Sequence, residues 1–488
     1  MKIEKKFSGI IFAVVFIAII IGTAAGCRMV EPPAGPEAEW EPPDWARDEQ
    51  ADDPVWESIK ASPADLSRPL TLVDCLDIAL KNSPATRQAW AGALSAAAEV
   101  GQAESLLYPQ LAVNATGTYL KQEYTLKTGA GAADTAPDMD EFNYGPGLEL
   151  NWLLFDFGGV RGGIEEARQM LLAANYSFNQ SIQDMILSVE KSYYQLQSAR
   201  SEVTAAEADV KDTKKALEAA RKKLDVGLVS KLDELQADSS YQDSLYQLES
   251  SRGALETARA ELAASLGLAA DAGFSISETE KELPTDISPE DVSSLIEKGL
   301  ERRSDIAALR AELRAKEAAV GVASSTFYPS LSLGGSANKL WYSYRDDPEL
   351  YDDSYMYTAY LGLSWDIFTG FSDLEKKRAA EAEAELTRQN LKEAEITAAA
   401  DVWNKYYAYQ TAVKKYSFSE AFLETARQAY NLALESYNNG LKDIIDLLQA
   451  QSDLSSARSQ LITSKKDLFV SIAELAHATG TLKLPDKK

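Results

Sequence analysis

The segment GLVSKLDELQA at Gly227–Ala237 returns as GLKDIIDLLQA at Gly440–Ala450, identical at six of eleven positions and displaced by 213 residues. The same displacement relates Trp152 to Trp365, Phe155 to Phe368, Tyr193-Tyr194 to Tyr406-Tyr407 and Gly267 to Gly480. A period this long is a duplicated domain-sized unit rather than a solenoid module. Whatever one half builds, the other must build again.

The middle of each half is dominated by Ala, Leu, Glu, Gln, Lys and Ser, which points to long helices. A net charge of −26 leaves no basic stripe for phosphates and argues against nucleic acid. One histidine, two cysteines and six methionines supply few soft or imidazole ligands, so no metal or other cofactor is expected. No CxxC, phosphate loop or nucleophile motif is present, and no enzyme is expected.

Residues 1–26 read as an export signal: Lys2, Lys5 and Lys6, then the apolar run Ile10–Ile21, then Ala24-Ala25-Gly26 before Cys27. Small residues ending at a cysteine resemble a bacterial lipobox, although Ala24 stands where Leu is usual. Cys27 is therefore the candidate lipidation site, the other reading being ordinary signal cleavage. Residues 27–70, rich in Pro, Glu, Asp and Trp, read as an extended linker. Cys75, in an amphipathic stretch, reads as a small buried hydrophobe.

Leu72–Leu80 predicts a short helix, followed by a helix capped at Asn82-Ser83-Pro84 and stopped by Tyr108-Pro109. The second half copies this at Leu295–Leu300, Ser304-Asp305 and Tyr328-Pro329. After each Tyr-Pro the period falls to 2. Leu111, Val113 and Ala115, then Leu148, Leu150 and Trp152, Leu331, Leu333 and Gly335, and Leu361, Leu363 and Trp365 each alternate with mostly polar residues. Four strands of about ten residues suit transmembrane β-strands, with Trp152, Phe155, Trp365 and Phe368 as candidate girdle residues; a soluble sheet is the other reading. Four strands cannot close in lipid, so the membrane reading requires several copies of the chain to share one barrel, and three copies give twelve strands.

Helical pattern then runs for nearly seventy residues, to about Val226 and Asn438. A heptad seam through Val203, Ala206, Val210, Thr213, Leu217, Ala220 and Leu224 recurs in phase from Tyr416 to Tyr437. The partner expected for each is the next helix, after a turn at Gly227 or Gly440. A helix of this length spans roughly 100 Å, about the sum of the two shorter helices of the same half. The expected architecture is an α+β fold: near-parallel helices with strands at one end and two hairpin tips at the other.

The ordered set of Ser-Pro or Ser-Asp helix start, YPxL strand, WxxF strand end and GLx(4)DxLQA, present twice, resembles the TolC-like outer-membrane efflux proteins. The resemblance covers residues 71–267 and 291–480 as two repeats, leaving 268–290 as a linker and 481–488 as a tail. It implies a homotrimer that closes a 12-stranded barrel in outer-membrane lipid and continues as a coiled-coil tunnel into the periplasm. It also implies docking onto a periplasmic adaptor (membrane fusion) protein of an inner-membrane pump, of RND or ABC type. The tips Gly227, Leu228, Val229, Ser230, Gly440, Leu441, Lys442 and Asp443 match the adaptor-contacting turns. Asp446 matches the first aspartate of the family's periplasmic constriction; Gln449 replaces the second, with Asp443 one turn away. Tyr437, Lys442 and Asp233 stand where the family closes its gate, with Lys in place of Arg. Tyr437 also fits as a seam residue, and Asp233 and Asp446 as acids at helix N-termini. The implied function is a passive exit duct for drugs or other small molecules; a type I secretion duct and a pore-less periplasmic coiled coil are the alternatives. The greater charge on the second tip suggests that the second hairpin moves and the first holds still.

Overall fold

In the computed structural model, residues 66, 68–122, 125–127, 133–135, 139–277, 291–344 and 351–483 are described. The export signal, Cys27 and nearly all of the 27–70 linker lie outside them. The helices are α1 (Leu72–Asn82), α2 (Pro84–Ser105), α3 (Gly159–Asp225), α4 (Lys231–Ser265), α5 (Val292–Arg302), α6 (Ser304–Ser325), α7 (Ser372–Asn438) and α8 (Ile444–Ala478). The strands are β1 (Gln110–Gln122), β2 (Thr125–Lys127), β3 (Ala133–Thr135), β4 (Met139–Phe155), β5 (Ser330–Tyr344) and β6 (Tyr351–Ser364). The duplication is kept to the residue: the four helices of one half have 11, 22, 67 and 35 residues, and so do those of the other.

Local chemistry sets these boundaries. Thr71 and Asp74 close a capping box on α1, and the Ser83 hydroxyl accepts from the Thr86 amide with Pro84 in the first turn of α2. In the second half Ser304 is the first helical residue rather than the cap, and Arg303 before it makes no side-chain cap. The Arg303 guanidinium instead joins Asp305 at 2.8 Å and Asp401 of α7 at 2.9 Å.

The helices pack in the order α2, α3, α6, α7 near the strands and α4, α3, α8, α7 towards the tips. Hence α2 and α4 share one column beside α3, and α6 and α8 share another beside α7. At the joint of the first column Gly267 has φ +68, and a Cβ there would stand 3.0 Å from the Asn82 carbonyl oxygen. Gly480 repeats the situation against Arg302, with φ +65. Both positions require glycine for conformation and for space.

The four long strands form one antiparallel sheet in the order β1-β4-β5-β6. They have 13, 17, 15 and 14 residues, longer than the alternation alone indicates, because pairing continues past the apolar stretch. The small β2–β3 hairpin lies between β1 and β4 in the chain. Register places Val113, Leu148, Ala337 and Tyr357 side by side, and Ala112, Glu149, Ser336 and Thr358 on the opposite face. Leu111, Val113, Tyr357, Leu361 and Leu363 are exposed in the single subunit. Within the chain β1 and β6 are edges.

The largest apolar cluster sits midway along the helices, where Cys75, Leu76 and Ala79 of α1 meet Ile186, Val189 and Tyr193 of α3 and Leu262 of α4. Leu70 bridges to Ile276, and the Tyr193 hydroxyl donates to the Ser277 carbonyl at 2.8 Å, which ties the segment after α4 onto this core. Burial pushes the Cys75 thiol up to about 12, in keeping with an inert core residue. No described helix is long and apolar enough to cross a membrane.

Candidate channel tip and membrane junction

Each hairpin turn is assembled from backbone bonds. Gly227 (φ +71) donates to the Leu224 carbonyl at 2.9 Å and Leu228 to that of Lys223 at 2.8 Å. Gly440 (φ +76) and Leu441 repeat the pair onto Tyr437 and Ser436. This is a left-handed glycine stop with a six-to-one bond. The next helices begin on equivalent caps. Ser230 and Asp233 exchange hydrogen bonds as a capping box, while the Asp443 carboxylate accepts from the Asp446 amide at 3.0 Å. Leu228 and Leu441, equivalent in the repeat, are 73 % and 77 % exposed, so each rigid turn presents a leucine to its surroundings. Val229 and Ser230 complete the first turn, and Lys442 and Asp443 the second.

The residues expected at the gate are drawn together only in part. Tyr437 is 1 % exposed, packed with Leu217, Ala220, Ile444 and Leu447. Burial, and then the charge of Asp233, raises its hydroxyl above the ordinary tyrosine value, and that hydroxyl has no hydrogen-bond partner. Asp233 gives its carboxylate to the Ser230 amide at 2.8 Å. Lys442 does not reach Asp233. Its ammonium group pairs with Asp446, one helical turn on, at 2.9 Å, because Asp446 points back along the same exposed face. Gln449 donates to Asp453 at 2.9 Å and borders a cleft shared with Gln236, Ser240 and Asp243 of α4.

The contacts that bind one hairpin to the other come from residues outside the expected set. Lys223 of α3 donates to the Tyr437 carbonyl, with its ammonium group 4.1 Å from the centre of the Tyr437 ring. Higher up, Arg458 of α8 forks onto Asp209, and onto Asp212 at 3.0 Å, all three largely buried; Ser455 adds a bond to Asp209 at 2.6 Å. Burial works against the guanidinium charge, but the two carboxylates outweigh it and hold Arg458 above its ordinary value. Farther from the tip, Glu474 of α8 accepts from Lys191 of α3 at 2.5 Å and Lys405 of α7 at 2.9 Å. The one sequence signal for Arg458 is the i, i+3 spacing of Asp209 and Asp212 beside the seam.

At the other end of the long helices, Trp152 donates its indole N–H to the Leu107 carbonyl at 2.9 Å. Trp365 does the same to Phe327 at 3.1 Å. The two indoles thus tie the strand ends to the turns that follow α2 and α6. Phe155 packs edge-to-face on Phe157, and Phe368 on Phe371. Among the described residues Phe157 and Phe371 are the two non-glycine residues with positive φ, where each strand turns into its long helix. A second aromatic group, Phe142, Tyr144 and Trp341, lies eight residues back along β4 from Trp152. That is about 27 Å of strand before tilt, close to the roughly 25 Å apolar band of a membrane barrel.

Nothing in this arrangement resembles a catalytic centre. Among the described residues no group of three or more His, Cys, Asp or Glu could hold a metal ion. The lone His477 is paired with Asp184 at 2.7 Å.

Comparison with known proteins gives the same picture. The chain is 29 % identical over 372 residues to protein CyaE of Bordetella pertussis, covering 74 % of this chain and 75 % of that protein. It is 25 % identical over 364 residues to the probable outer membrane lipoprotein SilC of Salmonella typhimurium, covering 72 % and 69 %. The fold superposes on the outer-membrane channel OprN with a TM-score of 0.73 at 21 % identity, over 94 % of this chain and all of that one. The family model described as outer membrane efflux protein matches residues 75–268 and 295–481. The chain therefore belongs to the outer membrane efflux protein family, passive channels rather than enzymes, which form trimers in the outer membrane and work with adaptor and pump partners.

Proposed function

We propose that this protein is the exit duct for small molecules in a tripartite export system, drawing them from an inner-membrane pump and a periplasmic adaptor. The observation that carries this reading is the matched order of the two walls. The columns holding α2, α3, α6 and α7 continue into β1, β4, β5 and β6 in the same sequence, and the sheet keeps two open edges. A lipid-exposed edge is not tolerated, so three copies close a twelve-stranded barrel above one helical tunnel. The exposed Leu228 and Leu441 on rigid turns form the adaptor seat. Asp443, Asp446 and Gln449 line the narrow end, and Asp233 and Tyr437 belong to its closing contact. Cys27 carries the lipid that adds a second attachment to the membrane.

Reconstitution in a planar bilayer tests the duct, the expected result being discrete conductance steps from purified protein. Absence of conductance in both orientations removes the reading in favour of a pore-less coiled coil. Deletion in the native host is expected to raise sensitivity to small toxic compounds. Loss of a secreted polypeptide with unchanged sensitivity assigns the duct to type I secretion instead. Mass spectrometry of the mature N-terminus decides the lipid, an unmodified Cys27 excluding it.

A further inference from the structure

The short helix α1 and the Leu70–Ile276 bridge cover the Ile186, Val189 and Tyr193 face of α3, and α5 covers α7 in the same way at Val402. This added layer belongs on the outside of the proposed tunnel. Twelve staves about 10 Å apart make a ring about 38 Å across, and the six short helices of three copies, each about 10 Å thick, would plug it. The bare face of α3 therefore looks into the bore. Ser177, Asp184 and Ser188 lie on that face, about 140–180° round the helix from Tyr193. They back a recess of about 720 Å³, closed on one side by the start of α2 and the end of α4 and on the other by Ala308, Leu309 and Glu312 of α6.

The duplication shows why the space is there. Pro84 at the start of α2 recurs as Ser304, displaced by 220 residues, and Gly159 at the start of α3 as Ser372, displaced by 213. Ser83, Ser188 and Ser265, which all line the recess, thus correspond to Arg303, Asp401 and Ala478. In the second half the position is filled: Arg303 pairs with Asp401 at 2.9 Å and donates to the Ala478 carbonyl at 3.4 Å. Three serines leave open in the first half what an ion pair closes in the second. No Lys or Arg lines the recess. Of its carboxylates, Asp305 holds Arg303 and Asp184 holds His477, whereas Glu312 has no partner among the described residues. Met185, Ala308 and Leu309 supply apolar lining beside it.

We propose that this recess is a binding site in the tunnel wall for a cationic amphiphile, an organic ammonium ion with an apolar body. Glu312 pairs with the cationic centre, the serine hydroxyls accept from its N–H groups, and the apolar body lies against Met185, Ala308 and Leu309. The recess has the size of sites that take drug-sized ligands, roughly 300–1,000 Å³, and the same mixture of apolar wall and few polar groups. A carboxylate drawn partly out of water attracts a cation more strongly than a fully exposed one, and an anion finds no positive side chain to meet it. Because the second half is plugged by Arg303 and Asp401, each subunit carries one such site. The inference rests on the duct reading above and names a substrate class for it.

Purified full-length protein in a neutral detergent, titrated with the cationic dye rhodamine 6G and read by fluorescence anisotropy against a detergent blank, is expected to saturate at one dye per subunit. The anionic dye fluorescein is expected not to saturate. Ser83→Arg combined with Ser188→Asp copies the ion pair of the second half into the recess and is expected to abolish saturable rhodamine binding. Glu312→Gln removes one partly exposed charge and is expected to weaken binding about fivefold, with helix content by circular dichroism unchanged, and Glu312→Asp to keep most of the affinity. Equal affinity for the two dyes, or unchanged rhodamine affinity in Glu312→Gln, overturns the site. Conductance steps in a planar bilayer without saturable rhodamine binding overturn the recess and leave the duct standing, whereas absence of both removes both.

Discussion

The ammonium group of Lys223 donates to the main-chain carbonyl of Tyr437 and lies 4.1 Å from the centre of the same residue's ring. One side chain at the end of the first long helix thus grips both the backbone and the face of a residue at the end of the second. Half-buried cation–π contacts of this kind are worth about 1–2 kcal/mol. Lys223→Ala is therefore expected to loosen the tip and raise the open population several-fold, read as larger or more frequent single-channel openings. Lys442→Ala removes only an exposed pair between the turn and the first residues of α8 and is expected to leave the recordings unchanged. An equal effect of the two substitutions would show that the grip on Tyr437 has no special part.

Arg458 joins the two hairpins through charges that are largely out of water. Arg458→Ala leaves Asp209 with the Ser455 hydroxyl alone and Asp212 with Lys215 in a largely buried site, and a loss of about 3 kcal/mol is expected in chemical unfolding of the helical region. Replacing all three together, as Arg458→Leu, Asp209→Leu and Asp212→Asn, is expected to recover most of that loss. If the triple variant is as unstable as the single one, the penalty does not come from the orphaned carboxylates.

Glu474 gives the helical wall an acid limit. Burial alone raises a carboxyl, but Lys191 and Lys405 together outweigh it and hold Glu474 below the ordinary glutamate value. A depressed carboxylate contributes fully above its unfolded value, about 4.3, and the contribution fades as pH falls through the lower folded value. Thermal unfolding of the native protein is expected to lose midpoint steeply below about pH 4, with a shallower loss in Glu474→Gln. Parallel curves for the two proteins would remove Glu474 from the explanation.

At Gly145 the sheet leaves no room for a side chain. A Cβ on Gly145 would stand 1.8 Å from the Lys339 carbonyl oxygen, where β4 and β5 approach closely between the Tyr144–Trp341 and Gly147–Asn338 pairs. Gly145→Ala must push backbone against backbone, at a cost of about 1–3 kcal/mol in a packed site. The expected outcome is a reduced yield of heat-resistant trimer on unheated gels, with helix content preserved. A normal yield would mean that the two strands part there without cost.

What was legible in the sequence is what depends on local period or on the repeat. The alternation around Val113, Leu148, Leu333 and Leu361 places the apolar face, and Gly227 and Gly440 mark the turns, because a left-handed residue at a helix stop is a local requirement. The seam through Leu217 and Tyr430 is readable from heptad spacing. The cross-helix charges are not. Lys223 meets Tyr437 and Arg458 meets Asp209 across more than two hundred residues, and which azimuth a long helix turns to its neighbour is decided by packing on both sides. The pairing of Lys442 with Asp446 illustrates the limit of likeness by position. A matched residue type predicts a possible partner, whereas the capping box at Ser230 and the i, i+4 geometry decide which partner each group takes.

The equal order of helices and strands has a consequence for what such a molecule can become. Each half of the chain supplies two staves, and every stave runs unbroken in character from hairpin tip to sheet. A cooper cannot widen the top of such a cask alone. Any variant that gained or lost a strand would gain or lose a full-length helical plank with it, so the bores of the outer barrel and of the tunnel are bound to a common count.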